Sequence, residues 1–202
     1  MTGIAPKSLY CPLSKLTTPC LDALAASYGR VQRILLRITP GIDPHTYAAV
    51  ATGKVDSKFG SAIETGQAEE ITAAALALPN IELRGFHCHI GSQIFEFEPF
   101  CDAARTMLSF IADIKAKHGY EAKELNLGGG MAVRYKAEHP TISYADNIAQ
   151  IGILIDSLCS ELGINKPTIL MEPGRSIVAD AGLTLYTVGT VKNIPGYKTY
   201  VS

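Results

Sequence analysis

Three short stretches of this chain place reactive or anion-binding groups next to glycine. They read Arg-Gly-Phe-His-Cys-His-Ile-Gly-Ser-Gln at 84–93, Leu-Asn-Leu-Gly-Gly-Gly at 125–130 and Ile-Leu-Met-Glu-Pro-Gly-Arg at 169–175. In the first, alternation along an extended backbone sends His87 and His89 to one face and Cys88 to the other. An imidazole beside the turn at Gly91 and Ser92 could hold a flat ring and a phosphate together. In the second, Gly128, Gly129 and Gly130 offer bare backbone N–H groups, which suit a phosphate. A tight turn or close packing accounts for the same glycines without any ligand. In the third, Glu172 and Arg175 flank a fixed Pro-Gly turn. Arginine grips phosphate or carboxylate through a two-pronged hydrogen bond, and a carboxylate can keep a ring nitrogen protonated. A surface ion pair is the plainer explanation, but apolar residues on both sides of the turn favour a partly buried position.

Other readings stay open at this level. Two same-face histidines at a strand tip also suit a metal-dependent barrel hydrolase. That chemistry needs further His or Asp ligands at later tips, where this chain has glycines, Glu172 and Arg175, so metal ranks last. His87 is equally a candidate core histidine. Arg37 ends an apolar strand, where a site role and a structural salt bridge are both reasonable.

These groups need elements to bring them together. Strands are predicted at 9–11, 31–38, the histidine stretch, 124–127 and 168–171. Helices are predicted at 21–28, 61–78, 99–118 and 144–162, most of them stopped by a glycine or Pro-Asn. A long loop spans 42–60, a strand is expected at 183–191, and another follows the Pro195-Gly196 turn at 198–201. Pro6, Pro12 and Pro19 argue against regular structure in the first twenty residues. Strand–helix alternation repeated about four times implies parallel strands with right-handed crossovers. Every polar tip then falls at the C-terminal end of a strand, where such sheets and barrels build their sites. A complete eight-fold barrel needs about 250 residues. The expected fold is therefore α/β, a partial (β/α)8 TIM-type barrel, incomplete at both ends.

With 202 residues, 47% hydrophobic and 18% charged, the chain can bury a substantial core. A formal net charge of -1 gives no basis for a nucleic-acid or acidic-membrane partner. The 5 cysteines are odd in number and form no Cys-x-x-Cys pair, which predicts free thiols in a reducing compartment. No apolar run of about 18 residues exists, so no membrane span is expected. Residues 1–8 carry no apolar signal segment. The expected location is cytoplasmic.

Taken in order, five stretches resemble a known family. They are Leu-Arg-Ile-Thr-Pro-Gly-Ile at 36–42, Ser-Lys-Phe-Gly at 57–60, His-Cys-His-Ile-Gly-Ser-Gln at 87–93, Asn-Leu-Gly-Gly-Gly at 126–130 and Met-Glu-Pro-Gly-Arg-Ser-Ile-Val-Ala at 171–179. The set is similar to the barrel of the pyridoxal-phosphate decarboxylases related to alanine racemase, and within them to the diaminopimelate decarboxylase branch. The resemblance covers about residues 30–200. It implies that His89 stacks on the cofactor's pyridine ring. It implies that Ser92, Gly128, Gly129, Gly130 and the Gly174 backbone hold the phosphate. Glu172 would bond the pyridine nitrogen, Arg175 would reach the phosphate or a substrate carboxylate, and Arg37 would sit near the cofactor. No metal is implied.

The implied activity is decarboxylation of meso-diaminopimelate, a small amino acid, to lysine. Ornithine or arginine decarboxylation, or a catalytically silent cofactor-binding fragment, are the alternatives. The implied full-length assembly is a homodimer whose sites use residues of both subunits. Two departures matter. Ala132 stands where the family more usually has glycine. The family's cofactor-anchoring lysine, in a sequence like Tyr-Ala-Val-Lys-Ala, has no counterpart before Arg37, so no catalytic residue is assigned. The expected layout is a poorly matched segment at 1–30, the cofactor-binding barrel portion at 31–182, and at 183–202 the start of a crossover to a C-terminal β-domain. The chain then reads as an internal portion of the enzyme or the product of a truncated gene, inactive alone.

Overall fold

The computed structural model describes residues 9–11, 17–46 and 51–202. Its centre is the strand Gln32–Thr39, β2. Ile34, Leu36 and Ile38 are buried in the core shared with the helices, and the other face carries buried Leu35 between exposed Arg33 and half-buried Arg37. β1 (Leu9–Cys11) pairs with it on one side and β4 (Ile81–His87) on the other. β5 (Glu124–Asn126) and β6 (Thr168–Leu170) extend the sheet in the order β1-β2-β4-β5-β6, and β3 (Ser61–Ala62) joins the far end of β2. All these pairings are parallel. Every C-terminal tip therefore lies at one end of the sheet.

Helices cross between the strands: α1 (Thr17–Ser27), α2 (Gln67–Leu76), α3 (Glu98–His118) and α4 (Tyr144–Glu161). The longest, α3, buries Phe100, Ala103, Ala104, Met107, Leu108, Ile111 and Ile114, the three-and-four spacing of one helical face. It ends on Gly119 in the left-handed conformation, with Lys115, Lys117 and His118 in the last turn, where cations suit the helix dipole. The Ser143 hydroxyl caps α4 by accepting from the Asp146 N–H. Under the helices Phe86 packs edge-on against Phe110 and Tyr120.

Three expectations change, and one element was not foreseen. Pro19 lies in the first turn of α1, where its missing N–H has no intrahelical partner to lose, so the helix starts earlier than 21. The helix expected over 61–78 is only Gln67–Leu76. Residues 61–62 pair with β2 instead, and left-handed Gly66 marks the helix start. No strand runs through 183–190. Leu183 and Leu185 alternate as a strand would, but among the described residues no strand lies beside them, and they and Tyr186 are exposed. Backbone bonds to Ser202 begin at Gly189 and Thr190, and β7 (Val191–Asn193) forms an antiparallel hairpin with β8 (Thr199–Val201) around Pro195-Gly196. Finally, a five-residue helix, α5 (Gly174–Val178), follows the Glu-Pro-Gly turn. Among the described residues no helix is long and apolar enough to cross a membrane.

Candidate active site at the strand tips

Sheet register builds the floor of the site. Arg37 on β2 pairs with His87 on β4, and His87 pairs with Asn126 on β5. Partners in register share a face, so these three side chains form one row at the C-terminal ends. His87 and Asn126 are buried. The Arg37 guanidinium lies 4.6 Å from the centroid of the Phe59 ring.

Beyond this row the tips touch backbone to backbone, and the glycines make that possible. A Cβ on Gly128 would fall 2.5 Å from the Cys88 carbonyl oxygen. One on Gly129 would strike the Glu172 carbonyl, and one on Gly130 the Gly91 carbonyl. The Glu172 N–H donates to the Gly128 carbonyl at 2.8 Å, and the Ile94 N–H to the Gly130 carbonyl at 3.0 Å. Close packing therefore accounts for all three glycines. The N–H groups of Gly128 and Gly129 are not bare as expected. Gly128 donates to Asn126 Oδ1 at 2.8 Å and Gly129 to His89 Nδ1 at 3.3 Å, because both polar side chains reach over the tip. The Gly174 N–H likewise donates to the Glu172 carbonyl.

The titratable groups differ in state. Burial, with the Arg37 charge and His89 alongside, pushes His87 down to about 4, so its ring is neutral at physiological pH. Its Nε2 sits 3.4 Å from Glu172 Oε1, a contact between a neutral ring and a carboxylate. Burial first, then Arg37, also lowers His89. A neutral His89 agrees with Nδ1 accepting from Gly129, which puts the ring proton on Nε2. Asn126 Nδ2 donates to Glu172 Oε1 at 3.0 Å. The Glu172 side chain stays 44% exposed, and Arg175 is exposed too, which corrects the partly buried position expected for this turn. The short α5 has no buried residue, so among the described residues little encloses the turn from that side.

Arg175 joins three loops. Its Nε donates to Ser92 Oγ at 3.2 Å and its Nη1 to the Tyr135 hydroxyl at 3.0 Å. The loop after β2 braces the histidine tip, with Thr52 Oγ1 donating to the His89 carbonyl at 2.8 Å and Thr46 Oγ1 to the Ser92 carbonyl at 2.9 Å. Gln93, held at φ 60, exchanges two hydrogen bonds with the Val133 backbone, at 2.7 and 3.1 Å.

The structure thus brings together His89, Ser92, Gly128, Gly129, Gly130, Glu172, Gly174 and Arg175, with Arg37 in the row beneath. Asn126, Tyr135, Gln93 and Thr52 were not singled out from sequence. Only Asn126 carried a local signal, as a polar residue ending an apolar strand before glycines. Arg84, which opens the histidine stretch, is structural: it pairs with Glu82 and Glu124 toward the other end of the strands. Among the described residues no three His, Cys, Asp or Glu side chains gather as a metal group.

Residues 17–179 match the model of the pyridoxal-dependent decarboxylases' pyridoxal binding domain. The chain belongs to this family. Pyridoxal phosphate is accordingly the cofactor of this pyridoxal-binding domain. Diaminopimelate decarboxylase of Bacillus methanolicus is 41% identical over 182 residues, covering 90% of this chain and 42% of that protein. The crystal structure of diaminopimelate decarboxylase from M. jannaschi shares 29% identity at a TM-score of 0.77, over 95% of this chain and 44% of that one. The Helicobacter pylori enzyme, solved with L-lysine, shares 30% identity at a TM-score of 0.73, over 93% and 44%. The chain therefore spans about two fifths of the length of these relatives. Their fold agrees with a parallel α/β barrel of which this chain is part.

Proposed function

We propose that this domain holds pyridoxal phosphate at the mouth formed by the tips of β4, β5 and β6. We further propose that it serves a decarboxylase converting meso-diaminopimelate to L-lysine and CO2. The observation that carries the reading is the donor set gathered there. Arg175 with the Ser92 and Tyr135 hydroxyls suits a phosphate dianion. The exposed Glu172 carboxylate suits a protonated ring nitrogen, and His89 offers a neutral flat ring. The residues present therefore fit the cofactor.

Bound pyridoxal phosphate supplies the electron sink for the pair left on carbon when CO2 departs. The chain's own residues create the conditions for it. Glu172 keeps a proton on the ring nitrogen, which strengthens that sink. Arg175 neutralises phosphate or a substrate carboxylate, and both hydroxyls, accepting from the guanidinium, have their own protons free to donate to the same anion. Arg37, beneath the histidines, adds positive potential under the mouth. His87 stays neutral and leaves the negative charge on Glu172 intact. Residues 31–182 form the cofactor-binding portion in this reading, and 183–202 begin the crossover to a β-domain. The same reading carries a homodimeric longer protein and a cytoplasmic location.

The test adds pyridoxal phosphate to the 202-residue chain, follows its absorbance, and traps lysine adducts with borohydride while CO2 release is assayed. Saturable binding without turnover is expected. The site-facing loop offers Lys54, but its ion pair with Asp43 at 2.8 Å holds it protonated and so a poor nucleophile. Absence of saturable binding would reject the cofactor site. One specific adduct with turnover of meso-diaminopimelate would reject the inactivity of the chain alone. Turnover of ornithine or arginine in preference, by a protein of the relatives' length, would reject the substrate.

A further inference from the structure

Asn126 bridges two strand tips, and nothing in the function above uses it. It ends β5 and is 1% exposed. Its Oδ1 accepts from the Gly128 N–H at 2.8 Å while its Nδ2 donates to Glu172 Oε1 at 3.0 Å. These two bonds fix the amide's orientation. Exchanging O and N would set a donor against a donor and an acceptor against a carboxylate. His87, one strand away in register, places Nε2 3.4 Å from the same Oε1. Both described contacts of the carboxylate thus fall on one oxygen. With the side chain 44% exposed, Oε2 is the oxygen left for a ligand.

We infer that Asn126 is a positioning residue that sets the rotamer of Glu172 and selects which carboxylate oxygen faces the cofactor ring. The inference rests on the reading of Glu172 as the partner of the ring nitrogen. The chemistry of a carboxamide suits the task. It accepts from an amide and donates to a carboxylate at once, without adding charge. An ammonium or guanidinium here would compete with the ring nitrogen for Glu172, and a carboxylate would repel it. Because one side chain makes both bonds, the triple-glycine tip and the Glu172 carboxylate are placed relative to each other.

The experiment is a double-mutant cycle on the 202-residue chain: wild type, Asn126→Asp, Glu172→Gln and the double variant. Each is titrated with pyridoxal phosphate by absorbance, and in the free protein the Gly128 amide and the Asn126 side-chain amide are followed by NMR. Asn126→Asp keeps an acceptor for Gly128, removes the donor to Glu172 and sets a second carboxylate against it. The Gly128 resonance should stay in place while Kd for pyridoxal phosphate rises on the order of tenfold. In the Glu172→Gln background the same change should cost less than about twofold, because a neutral amide at 172 donates to Asp instead of repelling it. Glu172→Gln alone should move the Asn126 side-chain resonances. Equal losses in both backgrounds, or an Asn126 resonance indifferent to Glu172→Gln, would overturn the inference. A wild-type Kd for Glu172→Gln would instead overturn the assigned role of Glu172, and the NMR arm would still decide whether Asn126 holds that side chain.

Discussion

His87 makes the fold sensitive to mild acid, and the size of the effect can be worked out. In the unfolded chain its imidazole titrates at the ordinary 6.5, whereas in the fold burial takes it down to about 4. The fold therefore favours the neutral ring. The stability this represents is fully present above 6.5 and is lost as pH falls toward 4. At about 1.4 kcal/mol per tenfold change in proton affinity, the total is roughly 3 kcal/mol, most of it gone by about pH 4.5. Carboxylates do not confuse that window. Arg84 holds Glu82 below its usual 4.5, so its contribution is present above 4.5 and is lost only at lower pH. His89 is lowered in the same direction, so the decisive comparison is between wild type and His87→Gln. Urea unfolding from pH 7 to 4.5 should show wild type losing stability steeply and His87→Gln losing clearly less. The His87 ring resonance should titrate near 4. A His87 that titrates at or above 6, or identical slopes for the two proteins, would refute the argument.

Two further outcomes follow from contacts at the mouth. Gly129→Ala must push the Glu172 carbonyl away, and urea unfolding should show a loss of about 1–3 kcal/mol, with no loss contradicting the backbone contact. Tyr135→Phe removes one hydroxyl from the Arg175 cluster, so Kd for pyridoxal phosphate should rise about fivefold. Stability should stay within about 0.5 kcal/mol, because Tyr135 is exposed. An unchanged Kd would remove Tyr135 from the anion site.

The strand tips were legible because each packs its chemistry into one contiguous run. His89 to Ser92, the triple glycine and Glu172 to Arg175 each lie within a few residues, after an apolar strand. The links between runs were not legible. Asn126 and Glu172 are 46 residues apart and meet only through the register of β5 and β6. Tyr135 meets Arg175 only through the path of the loop after Gly130. Pattern also misled where tertiary context decided the outcome. Apolar alternation at 183–190 has no partner strand among the described residues, and residues 61–62 pair with β2 instead of joining the helix. The exposure of Glu172 and Arg175 depended on how little packs against α5.

The double hydrogen bond between Gln93 and Val133 has a consequence for motion. Together with the Ile94–Gly130 and Ala132–Ile94 backbone bonds, it laces the β4 and β5 tips into one stiff jaw. The β6 tip is joined to that jaw by the Glu172–Gly128 backbone bond and then mainly by side chains, and α5 beyond it is solvent-exposed. The mouth therefore hinges on one side only. The glycine tip and Glu172 stay still while α5, which carries Arg175, can swing, so amide exchange should be slow at 93–94 and 131–133 and fast at 175–178. Capture of an anion by Arg175 would then act as a latch, drawing the mobile jaw onto the fixed one.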